Sequence, residues 1–231
     1  MKFSTPLQPG RLIRRYKRFL ADIETQGGHI ITVHCPNSGS MLGCDIPDLP
    51  VMISQSPNPT RKYPHTLEMV QVNGFWVGIN TSRTNQLIRE GLENGIITEL
   101  AHFDTIRPEV SVGKSRLDFM TTLNDTATYI EVKNCTLANG TKALFPDAVT
   151  ARGTKHLLEL QRLRAEGNGA ALIFCVQRGD VDRFAPAGHI DPLYARTLDQ
   201  CRLSGVMILA YRAEVCPAGI VVTCRLPVST S

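Results

Sequence analysis

Two short segments with alternating apolar and polar residues place the strongest constraint on how this 231-residue chain can fold. They are residues 115–119 and 129–133, joined by a polar connector around Asn124-Asp125. A period of two predicts strands with one buried face, and the connector favours a tight antiparallel turn. Because a slip of one residue would bury the charges and expose the apolar side chains, the segments predict a hairpin of defined register.

A hairpin that is symmetric about the connector places charged side chains opposite one another. Asp118 then lies across from Glu131, and Arg116 lies across from Lys133. Directly opposed side chains have Cβ atoms about 4.5–5.5 Å apart, where two like charges destabilise a sheet. A hard divalent cation would remove that repulsion. The pattern therefore predicts Asp118 and Glu131 as ligands of Mg2+ or Mn2+, with Lys133 beside the metal.

Two interpretations of these charges stay open. One is an exposed hairpin with ordinary ion pairs, Arg116 to Glu131 and Asp118 to Lys133, which add little stability. The other is phosphodiester hydrolysis, because a metal lowers the pKa of its bound water and Lys133 faces the charge that develops on the phosphorus oxygens. In the second interpretation Asp118, Glu131 and Lys133 are catalytic.

Composition limits the class of protein. The length suits one large domain or two modest ones, and 42% hydrophobic residues are ample for a core. A net charge of +4 is compatible with a nucleic-acid partner. Seven scattered cysteines without a CxxC pair indicate reduced thiols. With no apolar signal segment and no run long enough to span a bilayer, we expect a cytoplasmic protein that does not contact membrane.

The first part of the chain, residues 1 to about 81, predicts a small barrel. Short strand candidates at 29–34, 51–54, 67–72 and 75–79 alternate with Gly and Pro turns. A basic run with interleaved aromatic residues precedes them, from Arg11 through Leu20, and continues in strand-like alternation. It is interpreted either as a strip that binds phosphates and stacks a base, or as a solvated edge strand.

Candidate DNA contacts follow from this interpretation. In the barrel they are Arg11, Arg14, Arg15, Tyr16, Lys17, Arg18, Arg61 and Lys62. In the second part they are Arg116, Arg152 and Lys155, and for the last two a solvated helix face is an equal alternative. Asn37, Ser38 and Gly39 form either a backbone nest for a phosphate or a structural turn.

The second part, residues 82–231, predicts alternating helices and strands. Helices are expected from residue 82 to 94, from 150 to 166 and from 192 to 203. Strands are expected at 106–112, in the hairpin, at 170–177, at 206–211 and at 220–226. The continuous apolar run at 170–177 predicts a strand buried on both faces. Asp147 is expected either to cap the second helix or to add a carboxylate to the site, with capping preferred.

An acid on one strand, Glu-x-Lys on the next and then a helix resemble the PD-(D/E)XK nuclease superfamily. Leu117 stands where that motif has proline. The strings at 35–41, 115–119, 131–137 and 145–153 resemble the bacterial sugar fermentation stimulation protein A family over nearly the whole chain. The resemblance implies an α/β (α+β) protein in which an OB-like β-barrel, residues 1–81, precedes a restriction-endonuclease-like αβββαβ domain with a mixed central sheet, residues 82–231.

The resemblance also implies DNA binding without sequence preference and a regulatory role in sugar, notably maltose, metabolism. The residues and the resemblance together predict two alternative functions. The first is DNA binding through phosphates, which carry no sequence information. The second is Mg2+-dependent DNA phosphodiester cleavage by Asp118, Glu131 and Lys133. A small-molecule sensor is suggested by the family name alone.

Overall fold

The computed structural model describes residues 1–113 and 115–229. Six strands form the first sheet: β1 Gln8–Tyr16, β2 Leu20–Thr25, β3 Ile30–His34, β4 Pro50–Gln55, β5 His65–Val72 and β6 Phe75–Gly78. Their order is β3-β2-β1-β4-β5-β6, and a further pairing of β3 with β5 closes the first five strands into a barrel. The predicted OB-like barrel is confirmed.

Inward-facing apolar side chains fill the barrel. Leu12, Ile23, Val33, Val51 and Leu67 are all fully buried there. They come from five different strands, so each strand contributes its buried face to a single core.

The basic run does not continue as one strand. β1 ends at Tyr16 and the chain reverses into β2, with Tyr16 paired to Leu20. Lys17 and Arg18 occupy the left-handed region, at φ 50° and 63°. The prediction of unbroken strand-like alternation is therefore wrong here. The sequence does not signal this turn, because turns with positive φ normally use glycine or asparagine and neither residue is present.

The rest of the chain builds a second, mixed sheet with helices on both faces. Its helices are α1 Thr84–Glu93, α2 Ala151–Ala165 and α3 Pro192–Leu203. The strands are β7 Thr105–Val112, β8 Ser115–Leu123, β9 Thr126–Cys135, β10 Leu137–Asn139, β11 Lys142–Phe145, β12 Gly169–Val176, β13 Arg183–Pro186, β14 Met207–Cys216 and β15 Gly219–Arg225. The main sheet has the order β15-β14-β12-β9-β8-β7, while β10, β11 and β13 form a small separate sheet.

The mixed character of the main sheet follows from its connections. β9, β12 and β14 are parallel neighbours joined through α2 and α3, and the outer pairings are antiparallel. One face packs on α1 through Leu87 and Ile88, and the other packs on α2 and α3. β12 is buried on both faces, as its continuous apolar run predicts.

The central hairpin turns where its sequence predicts. Leu123 pairs with Thr126, so Asn124-Asp125 is a two-residue loop, and both of its residues have positive φ. One boundary differs from its prediction: α1 begins only at Thr84, after a short 3-10 turn capped by Asn80.

The barrel and the main sheet are in direct contact. The backbone N–H of Gly78 donates to the carbonyl of Gln177, and Val77 forms a bridge with Arg178. At the start of the chain, Lys2 forms a bridge with Gly219 of β15. Within the described ranges, every helix is too short or too polar to cross a lipid bilayer.

Candidate metal and nucleic-acid site

The predicted acidic pair lies where β8 and β9 stop pairing. Their ladder runs from Leu123–Thr126 to Phe119–Ile130, so Asp118 and Glu131 occupy the next position. On its other edge β9 pairs with β12 from Thr128 to Cys135, past the point where it leaves β8. The end of the ladder leaves room beside β9 for side chains to approach its backbone.

Glu131 is buried and held by two nitrogen donors. Lys133 Nζ and His156 Nδ1 both donate to its Oε1, from β9 and α2 respectively. Its second oxygen, Oε2, is buried and accepts no hydrogen bond from any described residue. An unpartnered carboxylate oxygen in a buried position is costly unless water or a cation completes it.

Asp118 is half-buried and is oriented from two sides. Asn85 Nδ2 of α1 donates to Oδ1 at 2.8 Å, and the backbone N–H of Val132 donates to Oδ2 at 2.7 Å. The carboxylate therefore reaches the β9 backbone one residue from Glu131. It does not turn into the hydrophobic interior.

The environment separates the pKa values of the two carboxyl groups. Burial, and then the negative charge of Glu131, raise the pKa of Asp118. Burial acts in the same direction on Glu131, but the hydrogen bond from His156 and the charge of Lys133 outweigh it and lower the pKa of Glu131. Glu131 is thus the acid that stays ionised, and a shared proton resides first on Asp118.

Lys133 connects the acids to a cleft between the barrel and the second part of the chain. This cavity of ≈ 490 Å³ is lined by Lys133, by Arg18 from the barrel and by Arg152 from α2. Residues 37–39 line it as well. Cations from three separate elements therefore face one space.

The 37–39 segment is held as a turn. Asn37 Oδ1 accepts from the backbone N–H of Gly39 at 2.9 Å, and Asn37 Nδ2 donates to the carbonyl of Ile79. Ser40 Oγ donates to the carbonyl of Asp147, whose carboxylate accepts from the N–H of Met41. These bonds support the structural-turn interpretation, and they fix the segment against the far wall of the cleft.

Two of the predicted DNA contacts, Arg11 and Arg14, form ion pairs on the surface of the barrel. Arg11 pairs with Glu24 and Asp48. Arg14 pairs with Asp22 at 2.8 Å and lies over the Tyr16 ring, whose hydroxyl donates to the same Asp22.

Arg15 is also occupied with the protein's own backbone. Its guanidinium donates to the carbonyls of Arg18, Asn37, Gly39 and Ser40. Since these acceptors lie on two separate loops, Arg15 ties the β1–β2 turn to the 37–40 segment. Lys17 and Arg18, in contrast, are exposed at that turn.

The remaining predicted contacts are dispersed. Arg61 donates to His34 Nδ1 in a second cavity of ≈ 520 Å³, and Lys62 lies over the ring of Tyr63. Lys155 is exposed on α2. Arg116 pairs with Glu109 at 2.7 Å. Its predicted opposition to Lys133 is wrong, because the β8–β9 ladder has already ended at Phe119–Ile130.

Sequence reasoning missed two residues of the acidic site, His156 and Asn85. A signal for His156 exists, since it falls on the buried stripe formed with Gly153, Leu160 and Leu163 at helical spacing. A polar side chain on such a stripe needs a buried partner. Asp147 does not cap α2; Thr150 does, by accepting from the N–H of Gly153.

The donor set fits a weakly coordinated hard cation. In the part of the chain that the structure describes, no group of three or more His, Cys, Asp or Glu side chains forms a ready-made metal cluster. Mg2+ does not require one, since it keeps several waters and is commonly held by one or two carboxylates. The unpartnered Oε2 of Glu131, one strand from Asp118, is the oxygen that such an ion would bind.

Comparison with known proteins places the whole chain in one family. Residues 13–79 match the profile described as SfsA N-terminal OB domain, and residues 82–219 match Sugar fermentation stimulation protein RE domain. The chain belongs to the sugar fermentation stimulation protein (SfsA) family. The family predicted from the four strings is confirmed.

Relatives and a solved structure agree over nearly the full length. A sugar fermentation stimulation protein homolog of Desulfotalea psychrophila is 53% identical over 93% of this chain and 92% of its own. One from Geotalea uraniireducens is 52% identical over 99% of both chains. The structure of Pyrococcus furiosus SfsA in complex with Ca2+ matches with a TM-score of 0.91 at 26% identity, covering 99% of this chain and 98% of that one.

Proposed function

We propose that this SfsA-family protein binds DNA with little sequence preference, in the cleft between a barrel domain, residues 1–81, and a nuclease-like domain, residues 82–231. The observation that carries the proposal is the convergence of Arg18, Lys133 and Arg152 on one ≈ 490 Å³ cavity. Cations contributed by both parts of the chain suit a polyanion that lies between them. Contacts to phosphates position DNA but do not read its bases.

The acidic site supports a divalent metal as part of this function. The SfsA of Pyrococcus furiosus, which has the same fold, was solved with Ca2+. In this chain Asp118 and Glu131 would hold Mg2+ or Mn2+. Such an ion supplies an activated water and neutralises charge on a phosphate.

Hydrogen bonds from surrounding residues orient the two carboxylates, Asp118 and Glu131. Lys133 and His156 donate to Glu131 Oε1 and keep this carboxylate ionised, which leaves Oε2 for the metal. Asn85 and the N–H of Val132 orient Asp118. Ligands held in this way by neighbouring hydrogen bonds bind metals more tightly than free ones.

The alternative function is active phosphodiester cleavage. The observation that favours it is the position of Lys133, which contacts Glu131 and also lines the cleft. An ammonium there would face a phosphate bound beside the metal. In this case Asp118, Glu131 and Lys133 are the catalytic residues. A regulatory role in sugar metabolism stays a prediction from the family name.

DNA binding is tested by fluorescence anisotropy with a labelled duplex at several salt concentrations. We expect log affinity to fall linearly with log salt, and the slope to decrease by about 0.9 for each phosphate contact removed in Arg18→Ala and Arg152→Ala. Arg202→Ala, which removes an exposed arginine of α3 paired with Asp199, is the matched control. Salt-independent affinity, or an equal loss in the control, would contradict the proposal.

Cleavage is tested separately by incubating DNA with Mg2+ or Mn2+. Activity that disappears in both Asp118→Ala and Lys133→Ala establishes the alternative function. Activity that survives both substitutions belongs to a contaminant. If wild-type protein binds DNA but cleaves it with neither metal, the protein is a binding module.

A further inference from the structure

Within the basic run, the aromatic residue available for a nucleic-acid base is Phe19 and not Tyr16. Tyr16 is occupied by the Arg14 guanidinium on its ring and by Asp22 at its hydroxyl. Phe19, three residues later, is 47% exposed and directly follows Lys17 and Arg18. The turn thus presents two cations and one aromatic ring in consecutive positions, and we call residues 17–19 the hairpin tip.

The hairpin tip adopts a backbone that its own side chains disfavour. Lys17 and Arg18 both have positive φ, a region that residues with a Cβ disfavour. Glycine or asparagine at either position would relieve the strain and form the same turn. The geometry of the turn therefore does not explain why two cations occupy these positions.

The backbone of the hairpin tip is held in place before any ligand binds. Arg15 donates to the carbonyl of Arg18 at 2.9 Å, and the N–H of Cys35 donates to the carbonyl of Phe19 at 2.8 Å. Arg18 then lines the cleft together with Lys133. A fixed backbone reduces the entropy lost when its side chains bind a partner.

We infer that the hairpin tip binds an unpaired nucleotide. Lys17 and Arg18 contact the phosphates on either side of it, and the Phe19 ring stacks on its base. This inference rests on the proposed DNA binding and specifies the substrate class: nucleic acid with a single-stranded stretch beside the cleft. In an intact duplex each base face is covered by its neighbours, so Phe19 has nothing to stack on, whereas an unpaired base offers its face whatever its identity.

The experiment compares two labelled probes by fluorescence anisotropy in EDTA, so that cleavage does not compete. One probe is an oligo(dT) of about 16 nucleotides, the upper end of what one OB barrel covers, and the other is a duplex of equal length. We expect Phe19→Ala to weaken oligo(dT) binding about tenfold, because one base stack is lost, and to leave duplex binding unchanged. Phe19→Trp should restore binding.

Phe75→Ala is the matched control, because Phe75 is an equally exposed phenylalanine, at 48%, at the start of β6. The inference is overturned if Phe19→Ala lowers both affinities equally, lowers neither, or behaves as Phe75→Ala does. If wild-type protein binds neither probe, the proposed function itself is wrong and the inference falls with it. Wild-type binding to both probes without any effect of Phe19→Ala overturns the inference alone.

Discussion

His156 on α2 donates a hydrogen bond from Nδ1 to Oε1 of Glu131 on β9, and both side chains are buried. This contact joins a helix to a strand 25 residues away along the chain. It leaves Oε2 as the Glu131 oxygen that accepts no hydrogen bond from the residues that the structure describes. The acidic site therefore depends on α2 as much as on the hairpin.

The first prediction concerns this contact. Substituting His156→Ala removes a donor from a buried carboxylate, so we expect the affinity for Ca2+ to fall about 10–100-fold, as is usual for residues that orient metal ligands. Isothermal titration calorimetry measures the change. His189→Ala replaces an exposed histidine and serves as the control. Wild-type calcium affinity in the His156 variant would show that Glu131 needs no such support.

Arg15 is expected to act on stability, contrary to its first interpretation as a phosphate contact. Arg15→Ala removes four hydrogen bonds to backbone carbonyls, and we expect a loss of about 2–3 kcal/mol in the free energy of unfolding. Arg15→Lys should not restore it, because an ammonium lacks the planar fork of donors. Urea unfolding monitors both variants. Arg18→Ala, exposed at the same turn, should leave stability within about 0.5 kcal/mol.

The barrel should lose stability in acid through Asp22. Burial acts to raise the pKa of Asp22, but hydrogen bonds from Arg14, Thr32 and Tyr16 outweigh it and hold that pKa below its usual value. A depressed folded-state pKa means that the unfolded chain binds the proton first as pH falls. The stabilisation is therefore complete above the unfolded pKa of about 3.9 and is lost as pH falls through the folded value.

The corresponding measurement is urea unfolding at neutral pH and near pH 3. Asp22→Asn should be less stable than wild type by about 1–3 kcal/mol at neutral pH, and the difference should shrink in acid. Asp182→Asn is the control, since Asp182 forms an exposed pair with Arg183 and contributes little. A difference between Asp22→Asn and wild type that does not change with pH would rule out this role for Asp22.

The contact between the barrel and the main sheet requires glycine at position 78. A Cβ on Gly78 would clash with Oε1 of Gln177. Gln177 is fully buried, and its Nε2 donates to Thr84 Oγ1. We expect Gly78→Ala to destabilise the protein by about 1–3 kcal/mol, as overpacking does. Gly179→Ala, where nothing lies within 4 Å of the added carbon, should have almost no effect. Thermal unfolding of the two variants separates them.

The spacing of apolar and polar residues along the chain predicted much of the fold. The two-residue parity of 115–119 and 129–133 and the polar pair at 124–125 were enough for the hairpin and its turn. The apolar run at 170–177 identified the doubly buried strand, and α3 begins and ends at the predicted residues, 192 and 203. The β1–β2 turn escaped detection because Lys17 and Arg18 adopt a conformation that their residue types disfavour.

The sequence by itself determined the alternation of side chains along the strands and the positions of favourable turns. It also determined that Asp118, Glu131 and Lys133 belong to adjacent strands. All three features depend on residues that are neighbours in the chain. Tertiary structure alone decided which cations are free to bind a ligand. Arg14 and Arg15 look like Arg18 in a sequence, yet Asp22 and the carbonyls of residues 37–40 engage the first two. Such partners come from distant segments, and their distances are set by packing, which residue spacing does not encode.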